Sequence, residues 1–493
     1  LSRMTLSLHG SKELCIGEYQ YSIIEHDAKF CKTNNPALYT NFVIPEEFIK
    51  DKEFFKKANY VFCQSRLHAE TLQKNLLLEQ VVNLECNIWN DAHLQMLKEN
   101  VGKPKRIKYA IMQSPNKNKG TEQAVKYCQK NNLRFEFIPV CDQKTFYSKL
   151  AEVENLVFFP QWLESYCRVA VEARILGCKL VTNNSIGSHS EKYVKDNKGE
   201  DLLKAIFEKR KEVVNKFCQA VDREAPLEVL PEFNIPKTSV IMTFYDSDKY
   251  IKNFMEMIVK QTKFRESEFI LVDACSPGNE IEIIKPYLDL YPNIIYHRTE
   301  TRISSMEAFN LATQNLSNGE YIATVCADDA FSPDHIEILS KHLFLDSEVD
   351  LVYSDCVQTT KENETFELNS SRGRLYEHSR EQFSKENMIK CLPGPMPMYR
   401  KSMHEKAGYY DPEMIYSGDW DFFLKAVRHG SIFKKINKAL GLYFFNPNGT
   451  STTNDVERLK SRRLADKKVF NEYRDVIGEK NYEIYKSYFD FIQ

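Results

Sequence analysis

No two cysteines stand at Cys-x-x-Cys spacing anywhere in the 493 residues, and no Cys/His cluster has zinc spacing, which excludes the common structural zinc modules. The 13 cysteines are scattered, several in apolar strand-like runs (Cys63, Cys326, Cys356), and read as buried thiols of a reducing cytoplasm. No apolar run approaches the ~18 residues a membrane span requires, and no signal peptide is visible. The chain begins with Leu1 rather than Met, so a truncated N-terminus is part of the expectation. An excess of one charge is missing too: 67 Lys and Arg face 69 Asp and Glu, a formal net of −2, so nothing global recruits nucleic acid or a membrane. The asymmetry is local. Residues 101–150 carry 11 Lys/Arg against 3 Asp/Glu, either a receiver for an anion such as a diphosphate or a solvated basic face, whereas residues 237–493 carry 33 against 39. At ~100 to 200 residues per domain, the length holds two to four domains.

What is present is alternation. "EDLLKAIFEKRKEVVNKFCQAV" reads as an amphipathic helix with Leu203, Ile206, Phe207, Val213, Val214 and Phe217 near helical spacing. Pro226, Pro231 and Pro236 follow and disfavour helix and central strand, which puts a domain boundary near residue 230. Beyond it, "SVIMTFY", "FILVD", "NIIYH" and "EYIATV" are strand candidates separated by helical stretches such as "KYIKNFMEMIVKQT", with Tyr250, Ile251, Phe254, Met255 and Ile258 on one stripe. This pattern predicts a mostly parallel, doubly wound α/β sheet. Ligands of such sheets bind beyond the carboxyl ends of the strands, where Asp246, Asp248, Asp273 and the pair Asp328/Asp329 would share one edge. In "YIATVCADDAFSPD" the pair either faces a cation or forms a solvated acidic turn or helix cap. Residues 101–198 alternate in the same way, from "RIKYAIMQ" to "KLVTNN", and residues 1–100 look short for a complete second lobe.

The ordered segments "VIMTFYDSDKYI", "ILVDACSPG", "SMEAFNLATQNLSNGEYIATVCADD" and "SGDWDFFLKA" resemble the inverting nucleotide-sugar glycosyltransferases of family 2, over about 215 residues from Thr238 to Asn454. The resemblance implies a GT-A fold. It also implies a nucleotide-base pocket from Thr243, Phe244, Tyr245 and Asp273, with a helix cap as the alternative for Asp273. Asp328 falls on the position that touches Mn2+ or Mg2+, with Asp329 in support. Cys326 stands where relatives have the first aspartate, and a soft thiol holds a hard cation poorly. Glu307 and Asn310 match a helix beside the donor, Asn310 as a donor contact, with plain surface polarity as the alternative. Asp419 falls on the general base, which takes the proton from the attacking hydroxyl. Trp420 and Asp421 would then lie on the acceptor side, with a capped helix start as the alternative, and Gly418 replaces the usual Glu. "GPMPMYRK" resembles the segment that shapes the acceptor pocket, and Asn446 and Asn448 stand where relatives carry a histidine.

Farther upstream, Glu164 and Glu172 with seven residues between, Gly177, and "NKNKG" (Lys117, Lys119, Gly120) resemble the donor lobe of GT-B glycosyltransferases of family 4. That implies Lys119 and Glu164 at the donor and Glu172 at its ribose. Glu25, His26 and Asp27 are either acceptor-cleft residues or a polar turn at a strand end. The expected layout is a partial GT-B-like lobe at 1–100, a Rossmann-like GT-B donor lobe at 101–198, a helix and Pro-rich linker at 199–236, a GT-A domain at 237–454 and a helical tail at 455–493. That tail would cap its own domain, or else meet a membrane surface or a second subunit of a homo-oligomer. The expected reaction moves a sugar from a nucleotide-diphospho donor, UDP-sugars foremost, to a glycan or lipid-linked sugar acceptor. The alternatives are a catalytically silent sugar- or nucleotide-binding scaffold, and a phage-type transferase acting on DNA bases, which the net negative C-terminal region disfavours.

Overall fold

A computed structural model describes residues 20–222, 229–231, 233–447, 449, 452 and 455–490; Pro226 and Asn448 lie outside them. The chain divides into two compact units, Leu1–Phe233 and Asn234–Gln493.

The first unit holds two parallel sheets. Strands β1 (Ile23–Ile24), β2 (Val61–Cys63) and β3 (Val81–Asn83) form the smaller one, in the order β1-β2-β3. Ser65, just past β2, caps the helix Arg66–Leu76 by accepting from the His68 N–H. The second sheet comprises β4 (Ile107–Met112), β5 (Glu136–Ile138), β6 (Val153–Val157) and β7 (Lys179–Val181), ordered β5-β4-β6-β7 and all parallel. The helix Gly199–Asp222 packs into this unit's core through Leu203, Ile206, Val213 and Phe217, whereas Phe207 is half-buried and Val214 exposed.

Gly120 opens the helix Thr121–Lys130 with φ +68°, and a Cβ there would stand 1.7 Å from the carbonyl oxygen of Phe159. Left-handed strain and collision with backbone therefore act together in Gly120→Ala. Urea unfolding of the first unit should show a loss of about 2 kcal/mol; an unchanged midpoint would refute the close approach.

The second unit is built on one eight-stranded sheet of β8 (Thr238–Phe244), β9 (Glu268–Asp273), β10 (Ile294–Arg298), β11 (Tyr321–Val325), β12 (Ala330–Phe331), β13 (Leu351–Thr359), β14 (Met398–Arg400) and β15 (Phe433–Phe444). Its order is β10-β9-β8-β11-β14-β13-β15-β12. The expected parallel, doubly wound pattern covers β8 to β11. It then breaks, because β14 inserts antiparallel between β11 and β13, and β12 pairs antiparallel with β15. The fold is thus mixed α/β with Rossmann-like parallel elements. The stripe Tyr250, Ile251, Phe254, Met255 and Ile258 is buried, as its spacing demands.

Among the described residues the tail forms the helices Val456–Glu472, Arg474–Ile477 and Glu479–Asp490, with a break at Gly478 (φ +82°). Val469, Phe470, Tyr473, Val476 and Ile477 join the core that also holds Trp420 and Phe423, so the tail caps its own unit. No helix among the described residues is long and apolar enough to cross a membrane. Cysteine burial is less general than expected: Cys141, Cys218 and Cys326 are exposed.

Candidate functional site

Because β8, β9 and β11 run parallel in register, Phe244 beside Asp273 and Val325 beside Met242, their carboxyl ends open along one edge of the sheet. The loop after β11 carries Cys326, Asp328 and Asp329, each offering a ligand atom within 4.8 Å of the others. Asp329 is 3% exposed and accepts from the Phe444 N–H at 2.9 Å. Asp328 is half-buried and accepts from Asn446 Nδ2 at 2.9 Å, so the asparagine found in place of a histidine holds the acid pair directly. Burial pushes both carboxyls up, and Asp328 pushes Asp329 farther. The solvated-turn reading fails for Asp329, and the cap reading fails because the next helix starts only at His335. Two desolvated carboxylates side by side suit a divalent cation: their oxygens are hard donors fitting Mn2+ or Mg2+, and the Cys326 thiol is the poor member of the set.

Asp419 lies in the first turn of the helix Gly418–Arg428, with an exposed carboxylate. Its Oδ2 accepts from Cys391 Sγ at 3.4 Å. Although Cys326 keeps an exposed surface, the protein massed around its loop raises the thiol, and the carboxylates of Asp329, Asp328 and Asp419 raise it farther, which brings the expected base and the acid pair to one neighbourhood. Gly418 is pressed against the helix Ser305–Leu311: a Cβ there would come within 2.7 Å of Met306 Cγ and Sδ, leaving no room for the glutamate of relatives unless Met306 moves.

Several expected contacts are redirected. Trp420 is buried, its Nε1 donating to the Met388 carbonyl at 2.8 Å, so its ring packs the core instead of walling an acceptor. Asp421 accepts from the Tyr473 hydroxyl of the tail at 2.9 Å. Asn310 donates to the Tyr410 carbonyl and accepts from the Tyr410 N–H; its amide latches two segments and does not face a donor. Glu307 is exposed, and its N–H is capped by Ser304. Of "GPMPMYRK", Met398–Arg400 enters the sheet as β14.

Of the expected base pocket, Thr243 is half-buried, Phe244 buried and Tyr245 exposed. The Arg302 guanidinium lies 3.9 Å from the Tyr245 ring centroid. Asp273 is no helix cap, since Asn279 precedes the helix Glu280–Leu290. It accepts from the Ser276 N–H at 2.7 Å, the Tyr296 hydroxyl at 2.8 Å and Arg298 Nη1 at 2.5 Å. Although burial opposes ionisation, these donors hold the Asp273 carboxyl below its ordinary range.

Sequence reasoning missed Arg302, Cys391 and a stack in which His378 lies 5.1 Å from Tyr376 and Tyr376 4.4 Å from Tyr443, between centroids. Position alone could have flagged Arg302, in the loop past a parallel strand. The aromatic stack and Cys391 come from segments distant in the chain and left no signal.

In the first unit Lys119 and Glu164 meet in an ion pair of 2.7 Å. Glu172 does not join them: it is 4% exposed and accepts from the Tyr147 hydroxyl at 2.8 Å, buried under the helix that was to offer it to a ribose. Glu25 is buried and accepts from the Lys29 N–H, followed by Asp27 in a left-handed turn (φ 62°), and His26 shares a hydrogen bond with Gln64 at 2.7 Å. This is the strand-end turn. Ser65 donates to the Ser165 carbonyl, and Ser165 to Gln64 at 3.1 Å.

Residues 239–408 match the family model described as Glycosyl transferase family 2. The chain is 28% identical over 236 residues to the uncharacterized glycosyltransferase MJ1057 of Methanocaldococcus jannaschii, covering 47% of this chain and 78% of that protein. It is 25% identical over 230 residues to the uncharacterized glycosyltransferase YwdF of Bacillus subtilis, covering 46% and 81%. Among solved structures, S. aureus TarS 1-349 overlaps 49% of this chain and 70% of its own at 18% identity and a TM-score of 0.38, too loose a likeness to bear on function. The GT-B type expected for the first unit has no counterpart in these matches. The C-terminal half of the chain carries a glycosyltransferase family 2 domain.

Proposed function

We propose that the second unit transfers a sugar from a nucleotide-diphospho donor, a UDP-sugar foremost, to a hydroxyl of a glycan or lipid-linked sugar, with inversion. The observation that carries this reading is the acid pair Asp328/Asp329 at the carboxyl edge of the parallel strands, with Asp419 near enough to act on the same Cys326 thiol. Tyr245 with Arg302 offers a flat cationic stack for a nucleobase, and Asp273, held ionised, orients Arg298 beside it. A divalent cation held by Asp328, with Asp329 behind it, would supply neutralisation of the leaving diphosphate. Asp419 accepts the acceptor's proton while the acceptor oxygen bonds the anomeric carbon opposite the departing diphosphate oxygen. The Tyr376/His378/Tyr443 stack gives a sugar ring an apolar face to lie on.

Calorimetry of the purified chain with UDP, with Mn2+ or EDTA, tests the donor site. Asp328→Ala should weaken Mn2+-dependent binding at least roughly tenfold, the lower end of what loss of an outer-shell group costs a metal site. Binding of UDP indifferent to EDTA and to Asp328→Ala would overturn the metal part. Binding without turnover in the presence of glycan acceptors would favour the silent scaffold.

For the first unit the degenerate reading is better supported than a second transferase. Lys119 is neutralised by Glu164, Glu172 is turned inward, and the loops of the two sheets are joined directly by Ser65 and Ser165.

A further inference from the structure

The turn that presents Asp419 is unusual. Ser417, the residue before the helix Gly418–Arg428, is left-handed (φ 58°, ψ 15°), and its side chain makes no cap bond to the helix. A helix N-cap ordinarily sits in the extended region with its oxygen on the first turn, and a left-handed serine is strained unless something holds it. What holds Ser417 is the tail: its hydroxyl donates to Asp466 Oδ1 on the helix Val456–Glu472. A second tie follows two residues after the base, where the Tyr473 hydroxyl donates to Asp421 at 2.9 Å. A third stands at the far end of the same helix, where Arg428 pairs with Glu472 at 3.0 Å and with Asp475. Asp419 is thus flanked on both sides by residues anchored to the tail, while Gly418 is pressed on Met306.

We propose that Asp466 is a positioning residue for Asp419, fixing the left-handed turn at Ser417 on which the carboxylate is presented; this rests on the reading of Asp419 as the general base. The helical tail then belongs to the acceptor side of the machinery as well as to the core.

Cys391 supplies a reporter that needs no substrate: burial raises its thiol, the Asp419 carboxylate, with Oδ2 3.4 Å from Sγ, raises it farther, and Asp466 adds to the effect. The experiment measures alkylation of Cys391 by iodoacetamide at pH 8, by peptide mass spectrometry, in the full chain. Asp419→Asn sets the size of the charge effect, about tenfold for each unit by which the thiol falls. Ser417→Ala, which leaves every charge in place, should accelerate Cys391 by a similar factor with melting temperature retained, and Asp466→Asn should do so by more, since the Asp466 carboxylate also holds the thiol up directly. The double variant Ser417→Gly/Asp466→Asn should react more slowly than Asp466→Asn alone, since glycine adopts the left-handed turn without help.

Cys391 unmoved in Ser417→Ala overturns the proposal, and so does a double variant that reacts as fast as Asp466→Asn alone. If Asp466→Asn does not fold, Ser417→Ala against the parent protein decides. Turnover of UDP-sugar retained in Asp419→Asn would remove the base reading while the alkylation pattern still tests the positioning.

Discussion

Replacing Asp419 by asparagine is expected to lower sugar transfer by roughly 10²–10⁴-fold, the usual contribution of a positioned general base, with little change in melting temperature. The carboxylate is exposed, and an asparagine oxygen can still accept from the Trp420 N–H that now reaches Asp419 Oδ1 at 2.8 Å. The substitution therefore removes the basicity and keeps the shape. Donor binding is the control: Tyr245, Arg302 and the acid pair do not depend on Asp419 for hydrogen bonds, so UDP affinity should hold. A single-turnover assay with a UDP-sugar and glycan acceptors checks it. Transfer within a few-fold of the parent protein would remove Asp419 from its role and direct attention to other acids near the edge, Asp466 among them.

Glu172→Gln should change how stability depends on pH. Burial raises the Glu172 carboxyl from the ordinary 4.5 to about 7, against the Tyr147 hydrogen bond and Arg168, which lower it. Between those two values the folded protein binds a proton that the unfolded chain has lost. Stability therefore falls as pH rises through this window; the contribution is whole below 4.5 and gone above 7. At about 1.4 kcal/mol per pH unit the fall comes to about 3 kcal/mol. The glutamine of the variant is neutral throughout, so its loss of stability between pH 5 and pH 8 should be smaller by about that amount. Urea unfolding of both proteins across the range measures it, and parallel curves would mean that Glu172 ionises freely. Either result bears on function, since a buried glutamate that is half neutral at pH 7 makes a poor partner for a ribose.

Strong apolar patterning made some elements legible. β8 was readable because its apolar residues form a short, nearly unbroken run, buried on both faces, and the helix Asp248–Ile258 because its apolar residues repeat at 3.6 and bury the face this predicts. The edge carrying Asp273 and Asp328/Asp329 was also readable, because parallel strands send their carboxyl ends the same way. The insertion of β14 between β11 and β13 was not. Its three residues are too few for a period, and its neighbours are set by pairing with strands far along the chain.

The candidate residues divide along the same line. For Asp328, Asp329 and Asp419, chemistry and place in the chain were enough to nominate them, since a carboxylate just past a strand or opening a helix has few positions to take. Asn310, Glu172 and Trp420 are amphipathic or polar groups on helices, and their assignment turned on which neighbour each helix face meets. Tyr410, Tyr147 and Met388 were those neighbours. By itself the sequence determined the alternation of strands and helices, the acid pair at a strand end and the family of the C-terminal half. The tertiary structure alone decided that Asn446 holds Asp328, that Cys391 touches Asp419 and that the tail grips the turn at Ser417. Each of these joins segments well separated in sequence, and which of them meet is settled only when the whole core packs.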